Sequence, residues 1–134
     1  MNTKYKIGLA MLAGVALGAA AVHGLHAQAK PPAYFVAEID VTNPEAYGKE
    51  YAPKQQALIK SHGGKFLAIG GTAGANAKQI TGFDGETPKR AVVILWDSME
   101  KLQAWRNDPE FKTLREIGGK YAKFRSFAIE GTQQ

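Results

Sequence analysis

Ala91-Val92-Val93-Ile94-Leu95-Trp96 is apolar at every position, so a strand built from it carries hydrocarbon on both sides. Such a strand belongs in the middle of a sheet, where neither face meets water freely. Upstream, Tyr34-Phe-Val-Ala-Glu-Ile-Asp-Val41 alternates instead. Phe35, Ala37, Ile39 and Val41 share one face, and Tyr34, Val36, Glu38 and Asp40 share the other, the period of a strand. Lys65-Phe-Leu-Ala-Ile-Gly70 and Phe124-Arg-Ser-Phe-Ala-Ile-Glu130 read as two further strands.

Helices fill the intervals. Asn43 is placed to cap a helix with Pro44 at its first position and Glu45 near the positive end. Tyr47, Tyr51, Gln55, Leu58 and His62 recur at helical spacing on one face, Pro53 predicts a bend, and Gly63-Gly64 a left-handed stop. Ser98 starts a second helix with Met99, Leu102 and Trp105 inward. Asp108-Pro109-Glu110 restarts it with Phe111, Leu114 and Ile117, up to Gly118-Gly119. Residues 71–88 hold Pro88, several glycines and few apolar side chains, which describes a connecting loop. The order β-α-β-β-α-β predicts an α+β, ferredoxin-like domain over 34–131. It has a four-stranded antiparallel sheet whose first and third strands are central.

The front end differs in kind. Lys4 and Lys6 precede an apolar run from Ile7 to Val22, and Ala27 and Ala29 supply the small residues a signal peptidase prefers. The run is 16 residues long, short of the roughly 20 that a membrane span needs. Residues 1–29 therefore read as a cleaved secretory signal rather than a retained anchor. Residues 30–33 form a linker and 132–134 a tail, and the product is exported to the periplasm or secreted. Loss of the 29-residue leader, with its two lysines, reduces 134 residues at +5 to 105 residues at +3. The chain has no cysteine. That excludes a disulfide scaffold, a thiol nucleophile, a Cys-ligated metal and a lipid-anchored lipoprotein. One histidine, His62, survives in the mature chain, fewer protein ligands than a catalytic zinc wants. No metal and no cofactor is expected, and scattered charges without a basic stripe give no sign of nucleic-acid binding.

Two helices can cover only one side of such a sheet. The other would leave Tyr34, Val36 and half of 91–96 exposed, so the sequence predicts a homodimer joined sheet to sheet. Several side chains are candidates for chemistry. Glu38 and His62 could serve as bases, and Arg125 or Arg106 as an anion clamp. Tyr47, Tyr51, Trp96 and Trp105 could wall a flat aromatic pocket. Structural readings compete with each: His62 at a helix end, Arg125 paired with Glu38 across the sheet, and the aromatics as plain core.

Tyr34 to Tyr47, His62-Gly-Gly-Lys-Phe-Leu67, Pro88 to Trp96, Ser98-Met-Glu100, Trp105, Asp108-Pro-Glu-Phe111 with Leu114, and Arg125 to Gly131 together resemble the bacterial domain-of-unknown-function family 1330. The resemblance covers about residues 34–131 and implies membership of the dimeric α/β-barrel superfamily. That superfamily includes cofactor-free quinol monooxygenases, haem-degrading enzymes, muconolactone isomerases and stress-response barrels. It assigns no catalytic residue here, because fold does not determine chemistry. Two departures stand out: Gly118-Gly119-Lys120 replaces an Arg-containing helix end found in many relatives, and the 71–88 loop is longer than usual. Three functions follow as expectations: an exported binder of a small apolar or aromatic molecule, a cofactor-independent oxygenase or isomerase, and a non-catalytic structural or stress-response module.

Overall fold

The structure, a computed structural model, describes residues 29–71 and 76–132. The expected export signal, apart from Ala29, lies outside the described residues. β1 (Ala33–Val41) is followed by a helical stretch made of α1 (Pro44–Ala46), one π turn (Tyr47–Tyr51) and α2 (Ala52–Ser61). β2 (Lys65–Gly71), β3 (Arg90–Trp96), α3 (Met99–Arg106), α4 (Pro109–Gly119) and β4 (Ala122–Glu130) complete the domain. The sheet order is β2-β3-β1-β4, every pairing antiparallel. The all-apolar strand and the alternating strand are thus the two central ones, as their compositions require. β1 begins one residue inside the expected linker, because Ala33 pairs with both Trp96 and Glu130 and is wholly buried.

Local chemistry sets the helix ends. Asn43 Oδ1 accepts from the Ala46 N–H, Ser98 Oγ from Lys101, and Asp108 Oδ1 from Glu110. Gly63 adopts φ +90°, its N–H bonding the Lys60 carbonyl and that of Gly64 the Ile59 carbonyl, the paired bonds of a Schellman cap. The bend expected at Pro53 takes the form of the π turn, in which the Ala52 N–H bonds the Tyr47 carbonyl five residues back. The ladder absorbs the missing proline N–H without breaking the helix.

Two readings are refined. The 71–88 segment is not wholly structureless: Lys78 returns alongside β2, its N–H bonding the Ile69 carbonyl and its own carbonyl accepting from Gly71. β2 carries a bulge between Phe66 and Ala68, so Phe66 and Ile69, three apart, both pack on the core. Strict alternation would have sent one of them to the opposite face.

The core lies between the sheet and the helices. Phe35, Ala37 and Ile39 from β1 and Val92, Ile94 and Trp96 from β3 meet Leu58, Ile59, Leu102, Trp105, Phe111 and Leu114. Trp96 stacks on Trp105 at 5.2 Å between ring centroids, and the edges of Phe35 and Phe111 close on Trp105 at 5.1 and 4.9 Å. The opposite face has no cover among the described residues. Register brings Ile129, Tyr34 and Leu95 into one row across it, and Phe127, Val36 and Val93 into the next.

The adjacent glycines at the end of α4 differ sharply. A Cβ on Gly118 would come within 2.6 Å of the Tyr51 ring, whereas one on Gly119 meets nothing within 4 Å. Gly118→Ala is expected to destabilise the domain by about 1–3 kcal/mol through overpacking. Gly119→Ala should be neutral or gain up to about 1 kcal/mol from helix propensity. Urea midpoints of the two variants check this, and equal shifts would contradict the packing account.

Candidate functional site

The best-formed concavity opens on the helix side of the sheet, not the bare side. Phe35, Tyr47, Tyr51, Trp105, Phe111 and Phe124 form its aromatic walls, and Ala37, Val92 and Ile94 its floor. Gln55, Ser126, Arg90, Arg106 and Arg115 supply the polar groups. The π turn presents Tyr47 and Tyr51 together, 5.2 Å between centroids, and Tyr51 in turn meets Phe124 at 5.5 Å. The space is small, about 60 Å³. That holds several waters' worth of contents but is less than the roughly 150 Å³ that accepts benzene in a rigid cavity. A six-membered ring would fit only if a side chain at the rim moved aside.

The electrostatics are one-sided. Three arginines line the pocket, and no aspartate, glutamate or histidine does. Each guanidinium lies against an aromatic ring: Arg90 5.8 Å from the Tyr47 centroid, Arg106 4.5 Å from Phe111, and Arg115 3.6 Å from Phe124. Burial pushes the Tyr47 phenol up to about 12, with Arg90 pulling the other way. Tyr51 is raised by the same cause against the pull of Arg115. Both phenols therefore keep their protons at neutral pH. The Gln55 Oε1 and Trp105 Nε1 atoms are buried without a hydrogen-bond partner, while side-chain hydrogen bonds join Tyr47 to Arg90 and Tyr51 to Arg115 and Gln55.

The structure brings some of the expected residues together and separates others. Tyr47, Tyr51, Trp105 and Arg106 line the pocket; Trp96 does not, because it lies wholly buried beneath Trp105. Glu38 and Arg125 face away from it. They are cross-strand neighbours, the Arg125 Nη1 donates to Glu38 Oε2 at 3.3 Å, and both border a groove of about 420 Å³. Asp40 and Lys89 also pair there, at 3.1 Å. Alternation along β1 separates Glu38 from the pocket, since its neighbours Ala37 and Ile39 take the inward positions.

His62 is in neither place. Its Nε2 lies 2.7 Å from Asp108 Oδ2, while Asp108 Oδ1 caps α4. The Asp108 carboxyl is held below its usual range, first by the His62 hydrogen bond and then by the Glu110 N–H. The pair pins the end of α2 to the start of α4, which gives the histidine a structural task. Arg115 and Gln55 are among the polar pocket residues that the sequence reading gave no site role. Both lie on inward helical faces, where a polar residue among apolar ones was the available signal.

An antiparallel four-stranded sheet with one helical layer is a ferredoxin-like α+β fold. Within that class the chain belongs to the family described as a domain of unknown function, DUF1330, whose profile matches residues 32–132. No curated protein matches the sequence. Among solved structures it is similar to SnoaB, a cofactor-independent oxygenase from Streptomyces nogalater, at 10% identity, covering 78% of this chain and 96% of that one with a TM-score of 0.54. A protein of unknown function from Rhodopseudomonas palustris is similar at 14% identity, 78% and 85% coverage and a TM-score of 0.56. These likenesses show the fold.

Raising the folded-state pKa of a phenol means that the native state holds the proton more tightly than the unfolded chain. The Tyr47 contribution is thus complete below about pH 10, the unfolded value, and is lost as pH rises through about 12. The urea midpoint of the parent is expected to fall across that window, and Tyr47→Phe to fall less. Equal alkaline sensitivity in parent and variant would dissociate the loss from this phenol.

Proposed function

We propose that this domain is a binding protein for a small aromatic molecule, held between sheet and helices, and that it works as a homodimer. The observation that carries the first half is the pocket itself: seven aromatic rings, Phe66 among them, with an apolar floor and a few polar groups, the composition typical of small-molecule sites. Binding without turnover is favoured over catalysis by what lines it. The two proposed bases, Glu38 and His62, lie outside, and the phenols inside stay protonated at neutral pH. General-base chemistry needs a group within hydrogen-bond reach of the proton it removes.

Methyl benzoate, a neutral single-ring probe, is expected to bind saturably and quench tryptophan fluorescence, since Trp105 forms one wall. Ser126→Leu, which fills the pocket from β4, should abolish the saturable phase while far-UV circular dichroism stays unchanged. Quenching that is linear in probe, or insensitive to Ser126→Leu, would refute the assignment.

The dimer reading rests on the bare face. Phe127 is 44% exposed, Ile129 59% and Leu67 53%, and Tyr34, Val36, Val93 and Leu95 join them in a continuous apolar surface. Isolated exposed apolar residues are ordinary, but a contiguous patch of this kind is not. A second copy packed face to face would seal it at the usual sheet-to-sheet spacing of about 10 Å. The Glu38–Arg125 pair would sit at the rim. Light scattering at micromolar concentration is expected to give twice the protomer mass, and Phe127→Glu to shift the population to protomers. A parent that runs as a protomer would rule out the pairing.

A further inference from the structure

We infer that the pocket is built for an aromatic carboxylate, whose ring lies among the aromatic walls and whose anionic end is taken by Arg106 and Arg115. The inference rests on the pocket reading above and adds the charge of the ligand. It starts from an imbalance. Arg106 comes from the end of α3 and Arg115 from the middle of α4, and both line the same small space. Neither has a carboxylate partner among the described residues, although the carboxylates Glu38, Asp97 and Asp108 are all engaged elsewhere. Two like charges converging without a counterion are costly, and an anion between them removes the cost.

The mutual repulsion has a visible consequence. Arg106 is held below the usual arginine range, first by burial and next by the charge of Arg115. The rings do not neutralise these cations; they orient them. With Arg115 3.6 Å from the Phe124 centroid and Arg106 4.5 Å from Phe111, each guanidinium is anchored against an aromatic surface. Its in-plane N–H fork is then suited to a planar, two-oxygen acceptor. Both side chains are half-buried, at the boundary between the apolar interior and water. An amphiphile with an apolar ring and one charged end matches that gradient. At about 60 Å³ the cavity admits at most a single ring, and that only with a rim side chain displaced.

The test compares benzoate with methyl benzoate, which share a ring and differ in charge, by titration of tryptophan fluorescence at low ionic strength. In the parent, benzoate is expected to bind at least about tenfold more tightly, the equivalent of one charged hydrogen bond. Its affinity should fall with added salt while that of the ester does not. Arg106→Gln and Arg115→Gln should each shrink the benzoate-to-ester ratio toward one, with thermal unfolding verifying the fold. Lysine at either position should restore part of the ratio. A parent that binds the ester as tightly as benzoate overturns the inference and leaves the aromatic pocket standing. So does a benzoate preference that survives both glutamine variants. If neither compound binds, the pocket reading itself fails. The comparison in the parent needs no variant, so a misfolded variant does not remove the test.

Discussion

The stack of Trp96 on Trp105 is the contact on which the rest of the domain depends. Trp96 ends the central strand β3 and Trp105 sits in α3, so one pair of rings joins the sheet to the helical layer. Phe35 from β1 and Phe111 from α4 close edge-on against Trp105, which ties four elements to one indole. Such offset and edge-to-face contacts add roughly 0.5–1.5 kcal/mol per pair to the burial of the rings. The same geometry constrains the backbone nearby: a Cβ on Gly64 would come within 2.8 Å of the Trp96 ring, so the turn into β2 must pass with no side chain. On its other side Trp105 is a wall of the pocket, which makes the core and the site two faces of one packed object.

A single helical layer imposes a division of labour on the sheet. The side facing the helices is filled with large rings, and where their packing is imperfect a small space remains with three arginines around it. The other side has no cover among the described residues; it is apolar across the rows of Tyr34 and Val36 and charged at Glu38 and Arg125. In β1 the division is enforced residue by residue, because alternation sends Ala37 and Ile39 inward and Glu38 outward. The Glu38–Arg125 pair consequently belongs to the rim of the bare face and to its mixed-charge groove, where carboxylates and cations already satisfy one another. The pocket is the opposite case, with cations and no acids among its lining.

Fold neighbours with oxygenase chemistry share this architecture at 10% identity, a level at which the scaffold persists while side chains turn over. The local inventory of the pocket, not the scaffold, therefore carries the proposal of binding without turnover. A buried phenol pushed up to about 12 keeps its proton at neutral pH. The single histidine of the domain spends its ring nitrogen on a helix-capping aspartate. These two facts arise from burial and from helix termini, and neither is an accident of one rotamer.

Much of this was legible in the chain itself. The unbroken apolar run at 91–96, the alternation at 34–41, the caps at Asn43, Ser98 and Asp108 and the glycine stop at 63–64 act within a few residues, so periodicity and capping rules report them directly. The aromatic members of the pocket, Tyr47, Tyr51 and Trp105, were visible as inward helical positions for the same reason. Strand pairing already suggested Glu38 with Arg125, 87 residues away, but tertiary structure alone decided that His62 meets Asp108, 46 residues away. Arg90, Arg106 and Arg115 come from three separate elements. Hydrophobic pattern specifies which face of an element is buried, but the partner across the core depends on register, a β2 bulge and a π turn, each a one-residue choice made by packing.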